Sequence, residues 1–377
     1  MNNSLNTLKH IEKDHIPAQL YEIPVVIYGG GYMARIVMNL LIAEGIRIRY
    51  IIDDNEAVQG TSIENIKIIS CPEFCSMARE YEQAAVILTT IYGKAVLKKL
   101  NHLPQIQVYE LYDWYNELIG KDNEIANMVQ EPNRIQEMKK QLEILKDKWA
   151  DEESGNVFEG LLHYLETRDL NYIAEIGTDY EQYFIPEVKT AVRKGGGLLN
   201  ILDGGAYRGE LLQALKNNDI GFDKWYCFEA DAENYEILLK RAKEEGLSEQ
   251  QICINKGLWS DSQKLFFEEG EGTASRIVSY ETEYVIDTIS IDDYFGEGKC
   301  NYIKMDIEGA ELPALKGGIN LIKRERPILA ISIYHSLEDF WKIPQYLMMN
   351  LDNYRYYVRH HALIFCETVL YAIPNEK

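Results

Sequence analysis

Basic residues are scarce in this chain. It carries 39 Lys and Arg against 60 Asp and Glu, a formal net charge of −21, with an isoelectric point near 4.8. Binding a phosphate backbone requires clustered lysine and arginine, so a nucleic-acid partner is not expected. Apolar runs of membrane-spanning length are lacking too, which argues against a membrane partner. The opening residues, Met-Asn-Asn-Ser-Leu-Asn-Thr-Leu-Lys-His, have neither the apolar core of a signal peptide nor the look of a transit peptide. A soluble, cytoplasmic protein is the expectation. Cysteines number six and are scattered. Several, such as Cys227 and Cys253, fall inside apparent strands, which suits buried thiols better than a disulfide framework. Cys71 and Cys75 form a C-x3-C pair with no second ligand pair nearby, a poor zinc set. There are ten prolines and no internal repeat.

What is present is enough for two cores: 377 residues, 46% of them hydrophobic. The most informative stretch is Leu198 to Glu210, Leu-Leu-Asn-Ile-Leu-Asp-Gly-Gly-Ala-Tyr-Arg-Gly-Glu. Its apolar first half reads as a buried parallel strand. Asp203 closes that strand, and Gly204, Gly205 and Gly209 open a turn into a helix. Glycine is needed where backbone must approach a ligand or take positive φ, and the following helix offers unpaired N–H groups. The spacing Asp-x-Gly-x-x-x-Gly resembles the first motif of class I S-adenosylmethionine (SAM) methyltransferases. A dinucleotide's pyrophosphate favours a bare helix N-terminus, whereas the cationic methionine end of SAM favours a nearby carboxylate. The next strand, Trp225 to Phe228, ends in Glu229, placed to accept both ribose hydroxyls of an adenosine. An ordinary strand-to-helix turn is the alternative for the loop alone.

Taken in order, residues 1 to 22 read as a polar lead-in helix. A strand over 25–28, the turn Gly29-Gly30-Gly31, a helix over 33–44 and a strand ending in Asp53-Asp54 then open a Rossmann-like domain over residues 1–120. Gly29, Gly31 and Asp53 are the candidates for a nucleotide site, against a plain βαβ turn. Residues 121–194 read as a helical connector. Within it Ile135, Met138, Leu142, Leu145 and Trp149 form a seam of two heptads, better suited to packing on a domain than to a coiled coil. From 195 to 377 strands and helices alternate. Strands over 302–305 and 328–333 are separated by one helix over 312–324, and the last two strands, near 354–359 and 369–373, form a closing hairpin. Parallel strands joined by helices bring their carboxyl ends to one rim.

At that rim lies Lys304-Met305-Asp306-Ile307-Glu308-Gly309-Ala310-Glu311. A buried lysine needs a partner, and strand alternation puts Lys304 and Asp306 on one face, where they can pair. A structural ion pair closing the strand end competes with a catalytic role for both. Tyr334-His335-Ser336 ends the following strand. His335 is a candidate general base, or a cap for the helix expected from Leu337. Asp306, Glu308 and Glu311 could supply oxygen ligands to a magnesium ion (Mg2+), or bond only Lys304 and the next helix; the metal stays open.

With these motifs in hand, Ile-Leu-Asp-Gly-Gly-Ala-Tyr-Arg-Gly-Glu, Phe-Glu-Ala-Asp, Trp-Ser-Asp, Thr-Ile-Ser-Ile-Asp-Asp-Tyr and Ile-Lys-Met-Asp-Ile-Glu-Gly-Ala-Glu resemble the successive motifs of the FkbM family of SAM-dependent methyltransferases over roughly residues 197–375. The resemblance implies a seven-stranded class I α/β sheet and O-methylation of a hydroxyl on a saccharide or secondary metabolite. It further implies that Asp203, Gly204, Gly205, Gly209 and Glu229 hold SAM, with Gly257 and Leu258 near the adenine. Ala230 stands where such proteins commonly carry proline. By the strand order of that fold, Asp306 lies near the transferred methyl. The first domain is similar, more weakly, to nucleotide-binding domains on sugar-modifying bacterial enzymes. A nicotinamide-dependent sugar oxidoreductase acting through Gly29 to Ala34 is the alternative, though no Tyr-x-x-x-Lys supports it. A non-catalytic nucleotide-binding protein of methyltransferase fold is a third reading. The partner expected is a small-molecule or saccharide acceptor, and a homo-oligomer is compatible with the sequence.

Overall fold

The computed structural model describes residues 8–11, 16–90, 93–110, 132–167, 171–268, 276–278, 281–282, 284–362 and 365–376. The expected end of the first domain near 115–120, and the start of the connector, lie outside the described residues. The chain divides into two compact units, one of residues 1–130, 160–179 and 362–365, the other of 131–159, 180–361 and 366–377.

The first unit is built on the strands β1 (Leu8–His10), β2 (Val25–Tyr28), β3 (Ile48–Ile52), β4 (Ser62–Ile63), β5 (Ile66–Ile69), β6 (Ala84–Leu88) and β7 (Ile106–Glu110), in the order β1-β7-β6-β2-β3-β5-β4. All pairs are parallel except β4 with β5. Val-Val-Ile-Tyr and Ala-Ala-Val-Ile-Leu make the central β2 and β6, every residue buried. Such unbroken apolar runs suit a sheet covered on both faces. The helix expected over 1–22 is corrected: among the described residues Leu8–His10 is a strand and Ala18–Tyr21 a single 3₁₀ turn. Parallel pairing with β7, nearly a hundred residues away, overrides the local polar pattern.

The second unit contains β8 (Leu198–Gly204), β9 (Gly221–Phe228), β10 (Gln251–Ile254), β11 (Gly257–Leu258), β12 (Lys264–Glu268), β13 (Arg276–Val278), β14 (Tyr284–Ile289), β15 (Tyr302–Met305), β16 (Ile328–Ser332), β17 (Tyr354–His360) and β18 (Thr368–Pro374). Seven of these form one sheet in the order β10-β9-β8-β15-β16-β18-β17, parallel except for the hairpin β17–β18 and its junction with β16. This is the class I methyltransferase arrangement, and the expected closing hairpin is in place. A second sheet, β11-β14-β12-β13, stands apart. The core joins Leu199 and Ile201 of β8, Trp225 of β9 and Tyr371 of β18 to Val188, Ala191 and Val192 of the helix Pro186–Lys194.

The helix expected over 312–324 is two helices, Glu311–Gly317 and Ile319–Glu325. The break falls where glycine is required by contact: a Cβ on Gly317 would sit 2.3 Å from the Trp259 carbonyl oxygen, and one on Gly318 2.8 Å from Ile291. The seam of Pro132–Leu145 is buried at Ile135, Met138, Leu142 and Leu145, and that helix packs against Asp339–Asn350 of the same unit. Arg359 of β17 is 1% exposed and meets Asp151 at 2.5 Å, Glu153 at 3.3 Å and Glu187 at 3.5 Å. That network ties the start of the helix Glu152–Thr167 to the sheet edge.

Candidate active site

In the second unit the chain order reverses between β8 and β15, which puts a crevice at their carboxyl ends. Two backbone segments meet there. Gly205 takes φ +68°, and a Cβ on it would lie 1.8 Å from the carbonyl oxygen of Asp306. Only glycine lets the first loop pass so close to the end of β15. Gly209, at φ +83°, completes the turn into the helix Leu211–Asn217, and Gly204 abuts the buried Leu258, which follows Gly257 in β11. The fold thus gathers Gly204, Gly205, Gly209, Gly257 and Leu258 around one loop.

Glu229 follows β9. Its Oε2 accepts from Tyr207 N–H at 2.7 Å and its Oε1 from Asp231 N–H at 2.9 Å. Burial raises this carboxyl, and the two backbone donors partly offset the rise. Each oxygen keeps a lone pair, so the carboxylate is oriented yet able to accept further hydroxyl donors. Tyr207 is held at φ +49° to deliver its N–H.

Asp203 lies elsewhere than a ligand-facing position: its side chain is 1% exposed. Oδ1 is 3.1 Å from Lys304 Nζ, and Oδ2 accepts from the Trp225 indole at 3.1 Å. Lys304 also donates to the carbonyls of Gly204 at 3.2 Å and Gly205 at 2.7 Å. The expected Lys304–Asp306 pair is therefore corrected to Lys304–Asp203, because parallel register sets Lys304 opposite Asp203 across β8 and β15. Burial alone would lower the Lys304 ammonium, but Asp203 and Asp306 outweigh it and hold the ammonium above its ordinary value. Burial pushes the Asp203 carboxyl up against the pull of Lys304. We read the pair as ionic, since the lysine has three oxygen partners and no other way to satisfy them.

Asp306 stands at the mouth of the crevice. Its Oδ2 accepts from Tyr183 O–H at 2.8 Å and its Oδ1 from Tyr334 O–H at 3.1 Å. Burial would raise it, yet His335, Lys304 and Tyr183 hold it below the ordinary carboxylate range. His335 Nε2 is 3.3 Å from Asp306 Oδ1 and 3.4 Å from Glu308 Oε2, while Nδ1 is 3.0 Å from Glu311 Oε1. Burial opposes charging the ring, but Glu311, Glu308 and Asp306 prevail and raise it well above its usual value. His335 does not cap the helix, which begins at Asp339 with Glu338 as its N-cap residue; the Asp339 N–H is accepted by Ser336 Oγ.

Tyr183 went unnoticed at the sequence level as a site residue. It holds φ +71°, an unfavourable conformation for a bulky residue. Its N–H donates to Tyr371 Oη at 3.2 Å and its carbonyl accepts from Tyr302 O–H at 2.6 Å, so the strained backbone is fixed on both sides. Its ring lies over Lys304, 5.4 Å from Nζ to centroid. Glu367, which accepts from Gln182 at 2.5 Å and lies 3.3 Å from the Tyr334 hydroxyl whose single proton it shares with Asp306, was likewise missed. Burial raises it to about 7.

In the first unit Asp53 meets the Gly29-Gly30-Gly31 turn at Gly30, not at Gly29 or Gly31. Asp53 Oδ2 accepts from Gly30 N–H at 2.7 Å and Oδ1 from Asn55 N–H at 2.8 Å. A ligand using the Gly30 N–H would have to displace Asp53.

Comparison with known proteins bears on the second unit. Residues 203–359, within the second unit, match the family model described as the methyltransferase FkbM domain. A crystal structure of a methyltransferase FkbM from Methylobacillus flagellatus KT is similar over 95% of this chain and 94% of that one, at 23% identity and a TM-score of 0.53. An rRNA methylase from Streptococcus thermophilus matches 51% of this chain and 97% of its own at 14% identity and a TM-score of 0.33. A putative rRNA-methylase from Clostridium thermocellum matches 52% of this chain and 98% of its own at 9% identity, also at 0.33. No curated protein matches. The match over residues 203–359 supports a methyltransferase, a class of enzyme for which SAM is the general methyl donor. The nicotinamide-dependent alternative finds no support in these matches. Among the described residues no helix is long and apolar enough to cross a membrane.

Proposed function

We propose that this protein is a SAM-dependent O-methyltransferase acting on a hydroxyl of a saccharide or another small molecule. The observation that carries the reading is the juxtaposition of Gly205 with Asp306, which sets a partly exposed carboxylate beside the cofactor-type loop. When bound, SAM supplies an electrophilic methyl group on a sulfonium. The residues present fit such a group: the loop passes where a Cβ cannot, and Glu229 offers an oriented carboxylate to ribose hydroxyls. Asp203 acts at one remove, holding Lys304 and through it the carbonyls of Gly204 and Gly205.

Transfer to oxygen is an in-line displacement that needs the acceptor hydroxyl aligned and its proton accepted as the bond forms. Asp306 is assigned both tasks, with Tyr183 and Tyr334 fixing its carboxylate plane. His335, offered by the sequence as the base, is held charged chiefly by Glu311 and Asp306, since burial pushes the Glu308 carboxyl itself up to about 8, and an imidazolium has no lone pair for a proton. It is assigned to supporting Asp306.

Glu229→Ala tests the cofactor half. Loss of charge-assisted hydrogen bonds should weaken SAM binding by about 1.5–3 kcal/mol without unfolding the chain, read by calorimetry on protein checked by circular dichroism. Unchanged affinity would withdraw the assignment. The acceptor half is tested by mass spectrometry of small saccharides and alcohols incubated with protein and SAM, where methylation confined to nitrogen or carbon would sink the O-methyl reading.

A further inference from the structure

The cluster beyond Asp306 holds more carboxylate than its own cations answer. Asp306, Glu308 and Glu311 converge on one imidazole, and Lys304 is already engaged by Asp203 and two carbonyls. The His335 side chain is 6% exposed, yet neither of its ring nitrogens makes a hydrogen bond of good geometry. The carboxylate oxygens stand within 3.0–3.4 Å of those nitrogens but off the directions of good N–H donation. Buried nitrogens in a native fold are rarely left so. One ligand atom each from Asp306, Glu311 and His335 lies within 4.8 Å of the other two. Ligand atoms at about 2.0–2.2 Å from a shared ion come to roughly 3–4 Å from one another, so a small closure of the cluster brings them onto a common centre.

We infer that Asp306, Glu311 and His335 form a binding site for a divalent transition-metal ion, which displaces to solvent the proton that His335 carries in its absence, with the more exposed Glu308 beside it as a further oxygen donor. The ligand chemistry sets the class of ion. An oxygen-only set such as Asp306, Glu308 and Glu311 suits magnesium, but the fold inserts an imidazole, and mixed nitrogen and oxygen donors favour manganese, iron, cobalt, nickel or zinc. The carboxylates are oriented in advance, as ligands with outer partners are. Glu311 Oε1 accepts from Ile307 N–H at 2.8 Å and Oε2 from Gly309 N–H at 3.1 Å, while Tyr183 and Tyr334 hold Asp306. An ion there would sit beside the group assigned to the acceptor hydroxyl and make that hydroxyl more acidic. This last role rests on the O-methyltransferase reading; the site itself does not.

The experiment uses the full chain, stripped with a chelator and desalted, and titrated with Mn2+ followed by electron paramagnetic resonance and with Co2+ followed by visible absorption. One ion per chain is expected, with His335→Gln and Glu311→Gln each weakening it by at least about 10- to 100-fold, and with the Co2+ spectrum altered in His335→Gln. Glu308→Gln, at a partly exposed side chain, should fold and weaken Mn2+ more mildly. Circular dichroism checks each variant. No stoichiometric binding, or equal affinity in wild type and all three variants, would overturn the site, and Mg2+ competing as strongly as Mn2+ would overturn the class of ion. Since neither SAM nor an acceptor is present, failure here is distinct from failure of the methyltransferase reading.

Discussion

Lys304→Met isolates the ion pair on which the Gly204–Gly209 loop is mounted. The variant keeps most of the side-chain volume but leaves Asp203 buried with Trp225 as its remaining partner, and it removes the donor to the Gly204 and Gly205 carbonyls. Breaking a buried pair from one side costs about 3–5 kcal/mol. A second route to the figure agrees. The stranded carboxyl can escape charge by taking a proton, and neutralising an acid of ordinary pKa ~3.9 at pH 7 costs about 4 kcal/mol. That route carries a pH signature. Burial already raises the folded Asp203 carboxyl against the pull of the lysine, and without the lysine it rises further, so the variant's deficit against wild type is small near pH 4 and grows as pH rises toward 7. At pH 5 it should be no more than about 1.5 kcal/mol. Urea unfolding followed by tryptophan fluorescence reads mainly this unit, since four of the five tryptophans, Trp149, Trp225, Trp259 and Trp341, lie within it. Adding Asp203→Asn should remove the pH slope. A deficit below about 1 kcal/mol at pH 7, or one independent of pH, would refute the buried-pair account.

The elements that could be read from sequence are those whose cause is local. Val25–Tyr28 and Ala84–Leu88 are apolar without interruption, and the glycines after Asp203 announce a turn that side chains cannot follow. Glu229 was found for the same reason: an acid directly after an apolar strand lands on the rim. What could not be read depends on partners distant in sequence. Leu8–His10 is three residues with no strand pattern of their own, made a strand by β7. Lys304 was given the wrong partner because alternation along one strand says nothing of register across two. Tyr183 offers no sequence signal at all. Positive φ is rare for tyrosine, and its contacts to Asp306, Tyr302 and Tyr371 lie more than a hundred residues away. The residues that tune the site thus come from outside the motifs that locate it.

Tyr183→Phe keeps the ring over Lys304 and deletes the hydroxyl on Asp306. One hydrogen bond to a charged group is worth about 1.5–3 kcal/mol, so kcat toward a hydroxyl acceptor should fall about 10- to 100-fold while SAM affinity, read by calorimetry, stays near wild type; an equal loss of both would make Tyr183 a folding residue only. The last prediction concerns His361, buried beside β17, with Nε2 2.8 Å from Tyr371 Oη. Burial lowers this ring to about 4, with Arg359 adding to the effect and the Tyr180 backbone opposing it. Above the ordinary value of ~6.5 the ring is neutral folded or unfolded and adds no pH dependence. As pH falls below that, the unfolded chain takes up a proton that the folded chain refuses, so stability is lost between about pH 6.5 and pH 4 and the loss levels off below. Two and a half pH units correspond to about 3 kcal/mol. His361→Gln retains a donor for Tyr371 and cannot titrate, so the stability difference between wild type and variant should shift by that amount over this window. A difference that stays flat from pH 7 to pH 4 would mean that the buried ring accepts a proton in the folded protein as readily as in the unfolded chain, and the neutral His361–Tyr371 contact would have to be abandoned.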